Sequence, residues 1–287
     1  IMRNILCVTL IALLGGCTST SVTEKYQDKR NDIINVKDKV IEFETGNVLI
    51  GSVSRLYMSN KCLLIADHKS VDKQIHIFNK NDFSYLTSIG NFGEGPEEIT
   101  VMGCLAIDEA HHQLYVSDHA KQKIFSYDMD SVMVDSLYKP QVKTAMNETL
   151  FPSEYQYIND TLSIAVLIKP TSTSTFNQFL GRWNMNTGEM IPMKYTHPDI
   201  QKKRITFAAS EKAGIYVECY TRHDLMTICS LDGELLYNIY GPDWDGGNGN
   251  KLQSFGTVMI GNDKIFVSYC GEDYQEKHPA AYRQQNR

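Results

Sequence analysis

Residues 105–128 read LAIDEAHHQLYVSDHAKQKIFSYD. Three short runs rich in β-branched and aromatic residues, Leu105–Ile107, Leu114–Ser117 and Ile124–Tyr127, are separated by two polar connections that each open on an aspartate. Runs of that length, bounded by turn-forming residues and lacking helical period, read as antiparallel strands joined by hairpins.

The pattern recurs along the chain. Leu63-Leu64-Ile65-Ala66-Asp67, Leu114-Tyr115-Val116-Ser117-Asp118, Leu162-Ser163-Ile164-Ala165, Ile215-Tyr216-Val217-Glu218 and Ile265-Phe266-Val267-Ser268 can be aligned. Their centres lie 51, 48, 53 and 50 positions apart. A strand precedes the anchor, as at Cys104–Ile107, and a second follows it, at Gln74–Phe78 and Lys123–Tyr127. A third is expected at Tyr85–Ile89, Val132–Val134, Glu189–Ile191 and Glu234–Tyr237. Four antiparallel strands repeated every fifty residues predict an all-β fold, a β-propeller of four-stranded blades.

Between two such units stands GNFGEGPEEIT, residues 90–100. A phosphate loop of the Walker type ends in Lys and Ser/Thr and opens a helix, whereas Gly95 is followed by Pro96-Glu97-Glu98 and another strand. The stretch reads as a corner, the passage from the rim of one blade to the axis of the next, where glycine allows positive φ and proline fixes the path. GPDWDGGNGN, residues 241–250, is a second, longer passage.

Residues 88–134 resemble an NHL-type repeat, through Gly93, Gly95, Pro96, Leu105–Asp108, Leu114–Asp118, Ile124 and Tyr127-Asp128. From about residue 40 the chain resembles the TolB-like six-bladed β-propeller lipoproteins of bacterial envelopes, one blade closely and the others loosely. The fourth anchor run departs from the pattern, with Cys219 where Asp67 and Asp118 stand. Six blades at this period need about 300 residues. The sequence holds four units and half of a fifth, so an incomplete ring of about five blades is expected over residues 39–287. Val40–Glu44 would then be a strand that closes the last blade of a whole ring.

The N-terminus carries Arg3, an apolar run from Ile5 to Leu14, and Leu14-Gly15-Gly16-Cys17. The run is too short to span a membrane and reads as a secretory signal. Its end resembles the bacterial lipobox, which implies cleavage after residue 16 and acylation of Cys17; an ordinary signal peptide ending near a cysteine is the alternative. Residues 17–38 read as a polar, flexible tether. Thr18–Val22 lacks the acidic run associated with surface display, which leans towards the periplasmic side of the outer membrane.

The chain has net charge −6, and removal of Arg3 with the leader makes it −7. Nucleic acid is therefore excluded as an expected partner, and the membrane is reached through lipid rather than charge. No CxxC pair or zinc spacing occurs among the seven cysteines. Cys219 and Cys229 would face one another if a hairpin turned near Arg222–Asp224.

Candidate site residues are those repeated at blade ends. Asp67-His68 and Asp118-His119 recur 51 residues apart and would offer two imidazoles and two carboxylates to a metal or sugar; equally, an Asp ending a strand caps the next turn's N–H groups. Tyr220 and Arg222 in the fourth unit match Tyr269, Glu272 and Asp273 in the fifth, either as an acidic and aromatic rim or as polar loops. Trp244 is a stacking platform or a packing residue between blades. His111-His112 reads as a solvated turn. No cofactor, metal set or catalytic order is legible. Two functions follow: a lipid-anchored envelope module that binds a protein or glycan, or a propeller enzyme, such as a metal-dependent lactonase or a lyase, at the channel mouth.

Overall fold

The computed structural model describes residues 22–30, 32–135, 137–247 and 252–273. Four units each form a four-stranded antiparallel meander in chain order. Blade 1 is β2 (Ser54–Met58), β3 (Cys62–Asp67), β4 (Lys73–Asn79) and β5 (Tyr85–Asn91); blade 2 is β6 (Met102–Asp108), β7 (Gln113–Asp118), β8 (Lys123–Asp128) and β9 (Gln141–Ala145). Blade 3 is β10 (Phe151–Asn159), β11 (Leu162–Pro170), β12 (Phe176–Trp183) and β13 (Met190–Pro192). Blade 4 is β14 (Ile205–Ser210), β15 (Ile215–Tyr220), β16 (Leu225–Ser230) and β17 (Leu235–Tyr240), and β18 (Leu252–Gly261) pairs with β19 (Lys264–Asp273) in a fifth, two-stranded sheet.

The core is a series of slabs between successive blades. Leu64, Ala66, Ile75 and Ile77 of blade 1 meet Leu105, Leu114, Val116 and Phe125 of blade 2. Cys104, Ala106, Tyr115 and Ile124 then meet Tyr155, Ala165, Leu167 and Trp183. Ile164, Val166 and Leu180 face Ala209, Tyr216 and Cys229, and Val217 and Cys219 face Phe255 and Val258. Both faces of a middle strand are covered, so β3 is buried at every position and reads as a continuous apolar run without alternation.

These facings fix the repeat. Leu64, Tyr115 and Val217 each point at the following blade, which places Cys219 with Ala66 and Ser117. Tyr220, one residue on, stands where Asp67 and Asp118 end their strands, because Thr221, His68 and His119 alike donate N–H to the carbonyl preceding the inner strand, at Arg204, Val53 and Val101. The expected match of Cys219 to the aspartates is thus one residue off. An alternation-based alignment slips easily where every position is apolar.

Four other expectations are corrected. Val132–Val134 is not the outer strand of blade 2 but part of helix α1 (Met129–Val134). Asp128 accepts the Ser131 N–H at 2.7 Å as its N-cap, Val132 fills the slab, and β9 takes the outer position. Val40–Glu44 forms no strand; Phe43 stacks on Phe83 at 4.7 Å and covers the free face of blade 1 with Ile50. Within the expected tether, β1 (Glu24–Tyr26) adds in parallel to β17, because an outer edge strand leaves its N–H and C=O groups available for pairing. Cys219 lies opposite Met226, and Cys229 opposite Tyr216, and both thiols are free: the β15–β16 turn falls near Arg222–Asp224 as expected, but a turn centred between Arg222 and His223 does not set the two cysteines against each other.

The glycine passage is a corner, filled by its own chain. Gly90 has φ +73°, and a Cβ there would lie 3.0 Å from Ile99 Cδ1. Glu98 accepts the Gly95 N–H at 2.8 Å, occupying the amide that an anion would use. Lys121 Nζ donates to the carbonyls of Gly95 and Glu98, each at 2.6 Å.

Candidate functional site: the central channel and its mouth

The inner strands β2, β6, β10, β14 and β18 surround a cavity of about 1220 Å³. One end, the mouth, is ringed by the β3–β4, β7–β8 and β15–β16 loops and by the passages between blades. The other, the turn face, carries the hairpin turns.

Inside the channel, Arg55 Nη1 of blade 1 reaches Glu154 Oε1 of blade 3 at 2.8 Å. Burial opposes the Arg55 charge, but the Glu154 carboxylate and the Tyr57 hydroxyl outweigh it and raise its pKa. Burial first, and then the thiol of Cys104, pushes the Tyr57 phenol up to about 12, so the phenol stays neutral. Gln156, also on the inner wall, is committed to the fold: its amide exchanges two hydrogen bonds with Ala209 of blade 4, at 2.8 and 2.9 Å. Arg55, Tyr57 and Glu154 stand together among the polar residues that line the cavity, with Glu109 and the hydroxyls of Ser54, Thr206, Thr221 and Thr257 also on its wall; they give no repeated signal at the 51-residue period, so sequence periodicity did not find them.

At the mouth, the tandem pairs prove to be joints. Asp67 accepts the N–H groups of Gly51 at 2.7 Å and Lys69 at 2.9 Å. Asp118 accepts four, from Thr100, Val101, Ala120 and Lys121, at 2.8 to 3.2 Å. Each carboxylate therefore ties the entrance of its own inner strand to the loop that leaves the second strand. His68 Nδ1 lies 3.1 Å from the Met102 carbonyl, and His119 faces the Pro152 carbonyl, which favours its charged form against the larger effect of burial. Each imidazole reaches forward to the next blade. Burial lowers both histidine pKa values, so the rings are neutral at neutral pH, with Nε2 buried and unpartnered.

The remaining expected residues divide. Tyr220 is fully buried against Ile200, Leu225 and Tyr240, and Trp244 packs on the same cluster, its ring 5.0 Å from Tyr240 and 5.5 Å from His197. Tyr220 is thereby closed off from solvent, whereas Trp244 packs on blade 4 with one side and stays half-buried. Arg222 is exposed at the mouth. The Tyr269 hydroxyl donates to Asp243 at 2.9 Å, and its ring lies beneath Arg30, 3.6 Å from the guanidinium carbon. Glu272 and Asp273 lie in β19 by backbone, and their side chains fall outside the described residues.

Sequence reasoning placed His111 in a solvated turn and could not pair it with Asp160, which lies a blade away. The turn face brings Asp108, His111 and Asp160 together, with one donor atom of each within 4.8 Å of the others. His111 Nδ1 and Asp108 Oδ2 are 2.8 Å apart, and the Tyr157 hydroxyl donates to Asp160 at 2.8 Å. This is the one such donor group among the described residues, and it sits at the end opposite the mouth. Asp67, His68, Asp118 and His119 do not assemble into one.

No helix among the described residues is long and apolar enough to cross a membrane. No curated protein matches the chain. Among solved structures, a protein described as exported, from Bacteroides fragilis, is similar with TM-score 0.51 and 14% identity, over 88% of this chain and 75% of that one. A member of the DUF4221 family from Bacteroides vulgatus is similar with TM-score 0.45 and 11% identity, over 63% of this chain and 56% of that one. Dihydro-heme d1 dehydrogenase NirN is similar with TM-score 0.43 and 9% identity, over 75% of this chain and 42% of that one. Identities this low speak for the fold alone. Residues 18–180 match the family model described as 6-bladed beta-propeller, and the chain, with its blades in sequence about a common channel, belongs to that family, DUF5128.

Proposed function

We propose that the protein is a lipid-anchored component of the cell envelope, held at Cys17 on the periplasmic side of the outer membrane, whose propeller binds a protein or glycan through the channel mouth without chemistry. One observation carries the binding reading: the titratable pairs at the mouth are spent on joints between strands and blades, while Arg55, Glu154 and Tyr57 leave a polar wall open to the cavity. A charged pair beside a phenol recognises hydroxyl and amide groups by hydrogen bonding. The lipobox resemblance supports the location.

The binding test uses an array of bacterial surface glycans and a set of envelope peptides. Retained binding that Arg55→Ala and Glu154→Ala abolish, with circular dichroism unchanged, is the expected result. Turnover of a lactone or glycan by protein that copurifies with a divalent metal would replace this reading with the enzymatic one. The anchor has a separate test. Cys17→Ser should leave the membrane fraction and lose the mobility shift of acylation; a variant that still partitions with membranes and shows no shift relative to wild type removes the anchor.

A further inference from the structure

The residues between the proposed anchor and the first blade do not hang free. Thr23–Gln27 is tied to β17 on both sides of β1: Asn238 donates N–H to the Thr23 carbonyl at 2.8 Å, and Gln27 to the Tyr240 carbonyl at 2.9 Å. Side chains lock the register. The Glu24 carboxylate accepts from the Tyr240 hydroxyl at 2.5 Å and from Asn238 Nδ2 at 3.2 Å, and Tyr26 stacks on Tyr240 with centroids 4.6 Å apart. Beyond the strand, Arg30 pairs with the fully buried carboxylate of Asp224 and lies over the Tyr269 ring. One short stretch thus bridges the outer edge of blade 4 and the first strands of the next sheet.

Its direction matters. β17 runs from the turn face to the mouth, and β1 is parallel to it, with Glu24 opposite Asn238 and Tyr26 opposite Tyr240. The chain therefore climbs towards the mouth, and the backbone preceding Glu24 comes from the turn face. Seven peptide links join Cys17 to Glu24, a reach of at most about 25 Å, against about 75 Å for a tether free to residue 39.

We infer that residues 23–30 are a strap that fixes how the propeller sits on its membrane: the turn face of blade 4 lies towards the bilayer, and the channel mouth opens away from it. The bilayer is the partner, and the inference rests on the anchor at Cys17 proposed above. A strapped propeller presents its mouth to ligands arriving from the aqueous side, whereas a free leash would let either face meet the membrane.

The test separates orientation from acylation. A histidine tag in place of residues 1–16 tethers the protein to vesicles bearing a nickel-chelating lipid, so the measurement stands whether or not Cys17 is acylated in the cell. In a Cys17→Ser, Cys270→Ser background, a fluorophore is placed at Lys212→Cys on the turn face of blade 4 or at Arg222→Cys at its mouth. Vesicles with nitroxide-labelled headgroups should quench the Lys212→Cys probe several-fold more than the Arg222→Cys probe. Glu24→Lys with Arg30→Glu, which undocks the strap while the tag still binds, should make the two equal. Equal quenching in the strapped protein, or stronger quenching at the mouth, overturns the inference.

Discussion

His68 of blade 1 and Met102 of blade 2 are joined by a hydrogen bond of 3.1 Å from the imidazole Nδ1 to the backbone carbonyl, and His119 faces the Pro152 carbonyl one blade on. Neutral rings hold these joints. Burial lowers the pKa values of both, and of His76, His197 and His223, below the ordinary 6.5. The unfolded chain then binds more protons than the folded one below that value, so stability rises with pH in this range. The expected outcome is a melting temperature that is level between about pH 7 and about pH 8 and falls progressively below about pH 6.5. His68→Gln with His119→Gln should cost about 1 kcal/mol per joint at neutral pH and flatten the acid limb. A melting temperature that rises on acidification contradicts the assignment of neutral rings.

Asp118 is fully buried and accepts four backbone N–H groups, whereas Asp67 accepts two. An unsatisfied buried donor costs about 1–3 kcal/mol, so Asp118→Ala should destabilise by about 3 kcal/mol or more and Asp67→Ala by clearly less. Asp118→Asn is little better, since its amide would point a donor at donors. Urea denaturation of the three variants gives the ranking; equal losses at the two positions would show that the local backbone, not the carboxylate, closes the passage.

How much of this was legible beforehand depends on the range of the interaction. Strand runs, the fifty-residue period and the corner at Gly90–Thr100 are local, carried by side-chain type and turn chemistry, and they were readable. Helix α1 was missed because Val132-Met133-Val134 is apolar and β-branched enough to pass for a strand, while the deciding group is the Asp128 cap. The match at Tyr220 slipped because β15 offers apolar residues on both faces. Asp160 beside His111, Arg55 beside Glu154 and Glu24 beside Tyr240 join residues 49, 99 and 216 positions apart, and no spacing rule within one chain foretells such pairs.

Lys203 and Glu218 form a nearly dry ion pair at 2.9 Å, their side chains 8% and 2% exposed. Removing one partner strands the other without water, which costs about 3–5 kcal/mol, while replacing both with apolar residues of similar size is often neutral. Lys203→Met should therefore unfold at markedly lower denaturant than wild type, and Lys203→Met with Glu218→Leu should recover most of the loss. A double variant as unstable as the single one would mean that the pair's hydrogen bonds, rather than charge burial, set its value.

Lys121 ties the Gly90–Thr100 corner by donating to two of its carbonyls at 2.6 Å. Lys121→Met keeps the aliphatic stem but removes the ammonium, leaving the corner held by Glu98 and by the Thr100 hydroxyl on Gly93. Amide exchange at residues 93–99 should quicken while β6 and β7 keep their protection. Faster exchange throughout blade 2 would instead make the lysine part of the blade's global stability.

Arg55 and Glu154 span the channel but remain 53% and 40% exposed at the side chain, and that exposure separates their role from that of Lys203 and Glu218. An ion pair this wet contributes about 0–1 kcal/mol, because solvent screens the attraction and both side chains lose rotamer freedom in forming it. Arg55→Ala should leave the unfolding midpoint within that margin. If the pair serves to face a ligand, the same variant must lose binding on the glycan or peptide array by far more than it loses stability. Binding that survives Arg55→Ala and Glu154→Ala would move the recognition surface off the channel wall and onto the outer rim of the mouth, where Arg222 is exposed.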